Sequence, residues 1–99
     1  MRIVFTDEAE ASLEKIGDYI AEDNPRRAIT FVRELRDSAN NLSEFPRAFP
    51  FVPRYKHYGI RRRPYGDYLI FYSIEPDHVA IHSILHGAQD YEAILFLNF

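Results

Sequence analysis

The chain has no cysteine in its 99 residues, which excludes disulfides, thiolate metal sites and cysteine nucleophiles together. It begins with no apolar run of signal-peptide or membrane-span length, because Arg2 to Phe5 is followed at once by charged residues. A soluble, cytoplasmic protein is therefore expected. With four glycines there is no Gly-rich phosphate loop, and Ser73 and Ser83 lack the Gly-flanked elbow that exposes a serine nucleophile. No internal repeat, low-complexity tract or linker divides the chain, and its length suits one domain over residues 1–99.

An excess of positive charge is also missing. The net charge is −3, so the chain as a whole does not advertise itself to nucleic acid. The distribution is more informative than the sum. Met1 to Glu44 holds ten acids and six bases, whereas Arg47 to Gly66 holds six bases (Arg47, Arg54, Lys56, Arg61, Arg62, Arg63) and no acid. Such a segment is a solvated surface, a docking patch for an acidic partner, or a phosphate-binding face.

Local patterns give an α+β order of elements. Arg2 to Phe5 favours a strand, and Thr6 or Asp7 can cap the helix that follows. Ala9, Leu13, Ile16 and Ile20 recur at helical spacing up to about Glu22, and Gly17 allows a partner helix to come close. Asn24 and Pro25 are start signals for a second helix. It runs to about Ser43 with Ala28, Phe31, Val32, Leu35, Ala39 and Leu42 as its inward stripe. The short turn between them makes an antiparallel hairpin that must pack on a sheet. The prolines of residues 45–53 rule out a helix there, and the phenylalanines of that stretch are expected to seal the core's edge. Turn sequences at Gly66-Asp67 and Glu75-Pro76-Asp77 then divide three antiparallel strands. Tyr68 to Ile74, apolar on both faces, is the central one. On the last strand alternation groups Val79, Ile81, Ser83 and Leu85 on one face and His78, Ala80, His82, Ile84 and His86 on the other. A brief helix from Asp90 to about Phe96 closes the chain.

Histidines four apart on a strand lie about 13 Å from each other, whereas zinc ligands converge within about 2 Å of the ion. His78, His82 and His86 therefore cannot share a metal, and no cofactor is expected. His86, beside Gly87 at a strand end, is the best placed acid or base among them. Arg61 and Arg63 point to one face and Arg62 to the other, with Tyr55, Tyr58 and Tyr65 interleaved. Two guanidiniums on one face could grip a phosphodiester or two carboxylates.

At Tyr68-Leu-Ile-Phe-Tyr72 and Ile84-Leu-His-Gly-Ala-Gln-Asp90, preceded by Tyr19-Ile-Ala-Glu-Asp-Asn-Pro25 and Gly59-Ile-Arg61, the sequence resembles the ParE branch of the RelE/ParE toxin superfamily. The match extends from Ile3 to about Asp90. This resemblance implies a bacterial type II toxin that is not an enzyme and that traps DNA gyrase on cleaved DNA. It also implies a cognate ParD-like antitoxin that wraps the toxin, with operator DNA bound only through that antitoxin. The alternatives are a ribosome-dependent mRNA endonuclease of the RelE type and an inactive antitoxin-binding module. For the endonuclease the usual set is incomplete: Leu69 stands where an arginine is expected after the hairpin turn, Ala88 near the basic residue after the last strand, and Ile94 near the C-terminal tyrosine. Arg61 with His82 or His86 would have to serve. Under the ParE reading Arg54, Lys56, Arg61, Arg62, Arg63, His86, Gln89, Asp90 and Tyr91 form the surface that meets target or antitoxin.

Overall fold

A computed structural model describes residues 1–53 and 56–96. The chain runs β1 (Arg2–Phe5), α1 (Asp7–Ala21), α2 (Pro25–Asn40), β2 (Ile60–Tyr65), β3 (Tyr68–Ile74), β4 (His78–His86) and α3 (Tyr91–Phe96), with single 3-10 turns at Asn41–Ser43 and Lys56–Tyr58. The α+β class and element order agree with the sequence reading. The sheet order is β1-β4-β3-β2. β2, β3 and β4 form an antiparallel meander. β1 adds to β4 in parallel, Phe5 opposite Ile81, so the sheet is mixed and not wholly antiparallel as expected.

The start of each long helix follows from one side chain. Thr6, not Asp7, caps α1: its Oγ1 accepts from the Ala9 amide at 3.1 Å. Its hydroxyl also lies 2.9 Å from the Ile81 carbonyl and 3.1 Å from that of His82, pinning the strand-to-helix turn to β4. Asn24 Oδ1 accepts from the Arg27 amide at 3.0 Å, and Pro25 opens α2 without losing a helical hydrogen bond. Gly17 sets the closeness of the pair, since a Cβ there would meet Val32 Cγ2 at 3.2 Å.

The helices cover one sheet face. Ala9, Leu13 and Ile16 from α1, Leu35 and Ala39 from α2, and Ile70, Tyr72, Val79, Ile81 and Ile84 from the sheet make one buried cluster. Burying each of the larger side chains contributes about 1.5–3 kcal/mol. Tyr72, fully buried, spends its hydroxyl on the Pro46 carbonyl at 2.7 Å. The opposite sheet face holds a smaller cluster of Val52, Ile60, Phe71 and Leu95, with Leu69, Leu85 and Tyr91 packed around it. Of the loop phenylalanines, Phe49 packs on the larger cluster. Phe45, 57 % exposed, does not seal the core as expected.

β4 departs from simple alternation. Its pairing with β3 jumps from Phe71 opposite Ser83 to Tyr72 opposite Ile81, leaving His82 as the extra residue of a β-bulge. One extra residue exchanges the faces beyond it. Ile84 therefore joins Val79 and Ile81 on the helix side, while Ser83 and Leu85 turn to the opposite side. This corrects the grouping drawn from the sequence. Both sheet edges are partly covered. Phe51 bridges Arg61 on the β2 side, with Val52 N donating to the Ile60 carbonyl at 2.8 Å. On β4 beyond β1, the Ile84 amide donates to Ser12 Oγ at 3.2 Å. Among the described residues no helix is long and apolar enough to cross a membrane.

Candidate functional site

The edge strand β2 carries the expected cations, and its alternation is as read from the sequence. Arg61 sits opposite Tyr72 and Arg63 opposite Ile70, both on the helix side, while Arg62 sits opposite Phe71 on the other side. All three are half-buried and internally bonded. Arg61 Nη1 donates to the Phe49 carbonyl at 2.7 Å, its guanidinium 4.1 Å from the Phe51 ring centroid. Arg63 Nε donates to the Ser38 carbonyl at 3.2 Å and its guanidinium lies 4.9 Å from the Phe49 ring. Arg62 Nη1 donates to the Tyr91 hydroxyl at 2.5 Å, tying β2 to α3. These guanidiniums hold down the loop and the last helix with part of their donor set, so the pair on one face is not an open phosphate fork.

The candidate acid-base residues do not converge. His82 lies on the side away from the helices, its Nε2 2.7 Å from Ser73 Oγ. Ser73 gives its single proton to Glu75 Oε2 at 2.6 Å, so His82 Nε2–H is the donor in that contact. Burial pushes the His82 imidazole below its ordinary range, with Glu75 and Glu8 opposing the shift. His86 is on the helix side, at the far end of the sheet, with its ring edge-on to Tyr68 at 5.2 Å. Arg61 and His86 are two strands and four residues apart in the register, roughly 16 Å. Arg61, His82 and His86 thus share no substrate position. Leu69, where the endonuclease reading needs an arginine, packs with Phe71, Leu85 and Leu95 beneath α3.

Of the other expected contact residues, Lys56 is exposed on a 3-10 turn, and Arg54, like Tyr55, lies outside the described residues. Gln89 Oε1 accepts from the His86 amide at 2.9 Å, and Asp90 Oδ1 accepts from the Ala93 amide at 3.4 Å at the start of α3. Tyr91 is the partner of Arg62.

A second surface was not anticipated. Along the seam between α1 and α2 runs a groove of about 740 Å³, lined by Leu13, Gly17, Ala21, Ala28, Ile29 and Val32 and edged by Asp7, Glu10, Glu14 and Asp18. Arg36 spans it, donating to Glu10 at 2.7 and 3.0 Å. That bond holds the Glu10 carboxyl below the ordinary carboxylate range. Ile29 is 64 % exposed at the rim. Small residues at 17, 21 and 28 were the available signal: on a helix they leave room for a neighbour, and here they leave a trough.

Residues 3–91 match the family model described as the ParE toxin of the type II toxin-antitoxin system, parDE. The chain belongs to the ParE toxin family. Its fold is similar to a chain of the chromosomal ParDE TA system from P. aeruginosa, at 18% identity with a TM-score of 0.73, covering 87% of this chain and 95% of that one. It is also similar to a chain of the toxin-antitoxin complex RelBE2 from Mycobacterium tuberculosis, at 24% identity with a TM-score of 0.64, covering 86% and 95%. No curated protein matches the sequence. At these identities the two structures establish a shared fold. Membership of the ParE family makes this chain a type II toxin, and its structure carries a basic edge bonded into its own loop and an acidic, apolar groove on the helical hairpin.

Proposed function

We propose that this ParE-family toxin acts in the cytoplasm as a stoichiometric inhibitor of DNA gyrase, not as an enzyme, and that a cognate ParD-like antitoxin neutralises it. The observation that carries this reading is the sheet face beneath α3. A ribonuclease needs a base, an acid and a cation around one phosphate. Here Leu69 lies in an apolar cluster and the candidate histidines occupy opposite faces. What the chain retains is surface, suited to binding.

The hairpin groove supports an antitoxin as partner. Its apolar floor takes the apolar stripe of a helix, and its carboxylates favour basic flanks on that helix. Operator DNA then belongs to the antitoxin, since the toxin's own net charge is −3. The test is a supercoiling assay with purified gyrase. The expected result is inhibition with accumulation of cleaved DNA, relieved by added antitoxin. Unimpaired supercoiling at molar excess of toxin would overturn the proposal.

A further inference from the structure

The motif His86 to Asp90 is not used by either surface described above, yet it is tightly built. The Gly87 amide donates to the Asp67 carbonyl at 2.8 Å, clasping the end of β4 to the β2–β3 turn. Gln89 Oε1 takes the His86 amide at 2.9 Å, and His86 Nδ1 takes the Ala88 amide at 3.0 Å. The last bond leaves the ring proton on Nε2 and fixes the imidazole's orientation.

These two turns close one side of a cavity of about 760 Å³ at the mouth between helices and sheet. The other side is α1, which brings Lys15 and Tyr19. Tyr19 is 69 % exposed, a large ring held at the rim without cover. Burial raises the Tyr68 hydroxyl's pKa, and Tyr19 and Asp67 add to the effect, which puts all three groups in one electrostatic neighbourhood.

The chemistry of this lining is selective. Arg27 at the rim is already neutralised by Glu34 at 2.6 Å. Among the described residues of the lining, Lys15 makes no ion pair, and Asp67 opposes a long run of phosphates. A polyanionic tract is therefore disfavoured. An apolar peptide would strand the Asp67 carboxylate, the His86 Nε2–H and the Gln89 amide. A flat, polar-edged ring carrying a single phosphate satisfies these groups, and Ile16, Ile20 and Phe31 in the same lining offer its face an apolar floor.

We propose that this mouth binds a single unpaired nucleotide. The base stacks on Tyr19 and Tyr68, its edge meets Asp67 and the Gln89 amide, and its phosphate rests on Lys15. The site is independent of whether gyrase is the target, because it is measured on the toxin alone.

The experiment titrates the 5′-monophosphates dAMP, dCMP, dGMP and TMP into full-length, antitoxin-free toxin and follows backbone amides by NMR. Shifts are expected at Lys15, Tyr19, Tyr68, Gly87 and Gln89. Tyr19→Ala, at an exposed position, weakens binding about tenfold or more. Lys15→Ala, or a nucleoside without phosphate, weakens it severalfold. A single-stranded oligonucleotide gives a salt slope of about −0.7, the value for one phosphate contact. Absence of shifts at millimolar nucleotide, unchanged affinity in Tyr19→Ala, equal shifts from inorganic phosphate alone, or a slope of about −3 or steeper would each overturn the proposal.

Discussion

Replacing Arg61 by alanine separates an arginine that holds the fold from one that grips a target. The substitution removes a half-buried, charge-assisted hydrogen bond of 2.7 Å to the Phe49 carbonyl, a class that contributes about 1.5–3 kcal/mol. It also removes a guanidinium 4.1 Å from the Phe51 ring, which contributes about 0.5–1 kcal/mol. Water can reach the freed carbonyl on this surface loop and returns part of the loss. The expected cost is about 2 kcal/mol, well above the roughly 0.5 kcal/mol of an ordinary surface change. For a urea slope of about 1–2 kcal/mol per molar, the unfolding midpoint of the antitoxin-free toxin falls by about 1–2 M, read by far-UV circular dichroism. Arg61→Lys keeps the charge but loses the planar fork, and recovers less than half of the midpoint. A midpoint within about 0.3 M of the parent, together with lost gyrase inhibition in Arg61→Ala and full inhibition in Arg61→Lys, would return Arg61 to the target surface.

His82 makes stability depend on pH. Its folded pKa lies below the unfolded value of about 6.5 because the ring is partly buried and desolvated. The contribution is complete above that pH and is lost as pH falls toward the folded value. Urea midpoints should therefore drop between about pH 7.5 and 5.5, and His82→Gln should flatten that drop; an equal drop in the variant assigns it elsewhere. Gly66, at φ 56° in the two-residue β2–β3 turn, resists substitution, and Gly66→Ala should lower stability by about 1 kcal/mol in the same denaturation assay. Ile29→Glu, at the exposed rim of the hairpin groove, should leave the unfolding midpoint and gyrase inhibition unchanged while weakening antitoxin binding about tenfold or more by calorimetry. Unchanged antitoxin affinity would move the docking surface off the groove.

Much of the fold was legible because its determinants are local. Thr6 and Asn24 announce helix starts through bonds within three residues, Pro25 through its fixed φ, and Tyr68 to Ile74 announces a central strand by being apolar on both faces. The arginine alternation on β2 was legible for the same reason. The bulge was not: nothing near His82 signals the extra residue, which Thr6, far away in sequence, helps to hold. Nor did the charge run around Arg61 reveal that its partners are carbonyls of the preceding loop, since a carbonyl leaves no trace in the sequence. The hairpin groove and the nucleotide mouth are assembled from residues on separate elements, so their chemistry exists only after the layers pack. Leu69 shows the converse. This one position stood out in the sequence only by comparison with the endonuclease branch, and what the structure adds is where the leucine packs, beneath α3.

On the proposed function this toxin works by occupying a partner and not by turnover. The most direct measurement is the dose dependence of supercoiling by a fixed amount of purified gyrase as toxin is added. Inhibition should rise in proportion to toxin, saturate near stoichiometric amounts and leave cleaved DNA in the inhibited complex. Supercoiling unaffected at molar excess, with translated mRNA cut at codon-spaced sites by substoichiometric toxin, would make the toxin a ribonuclease instead.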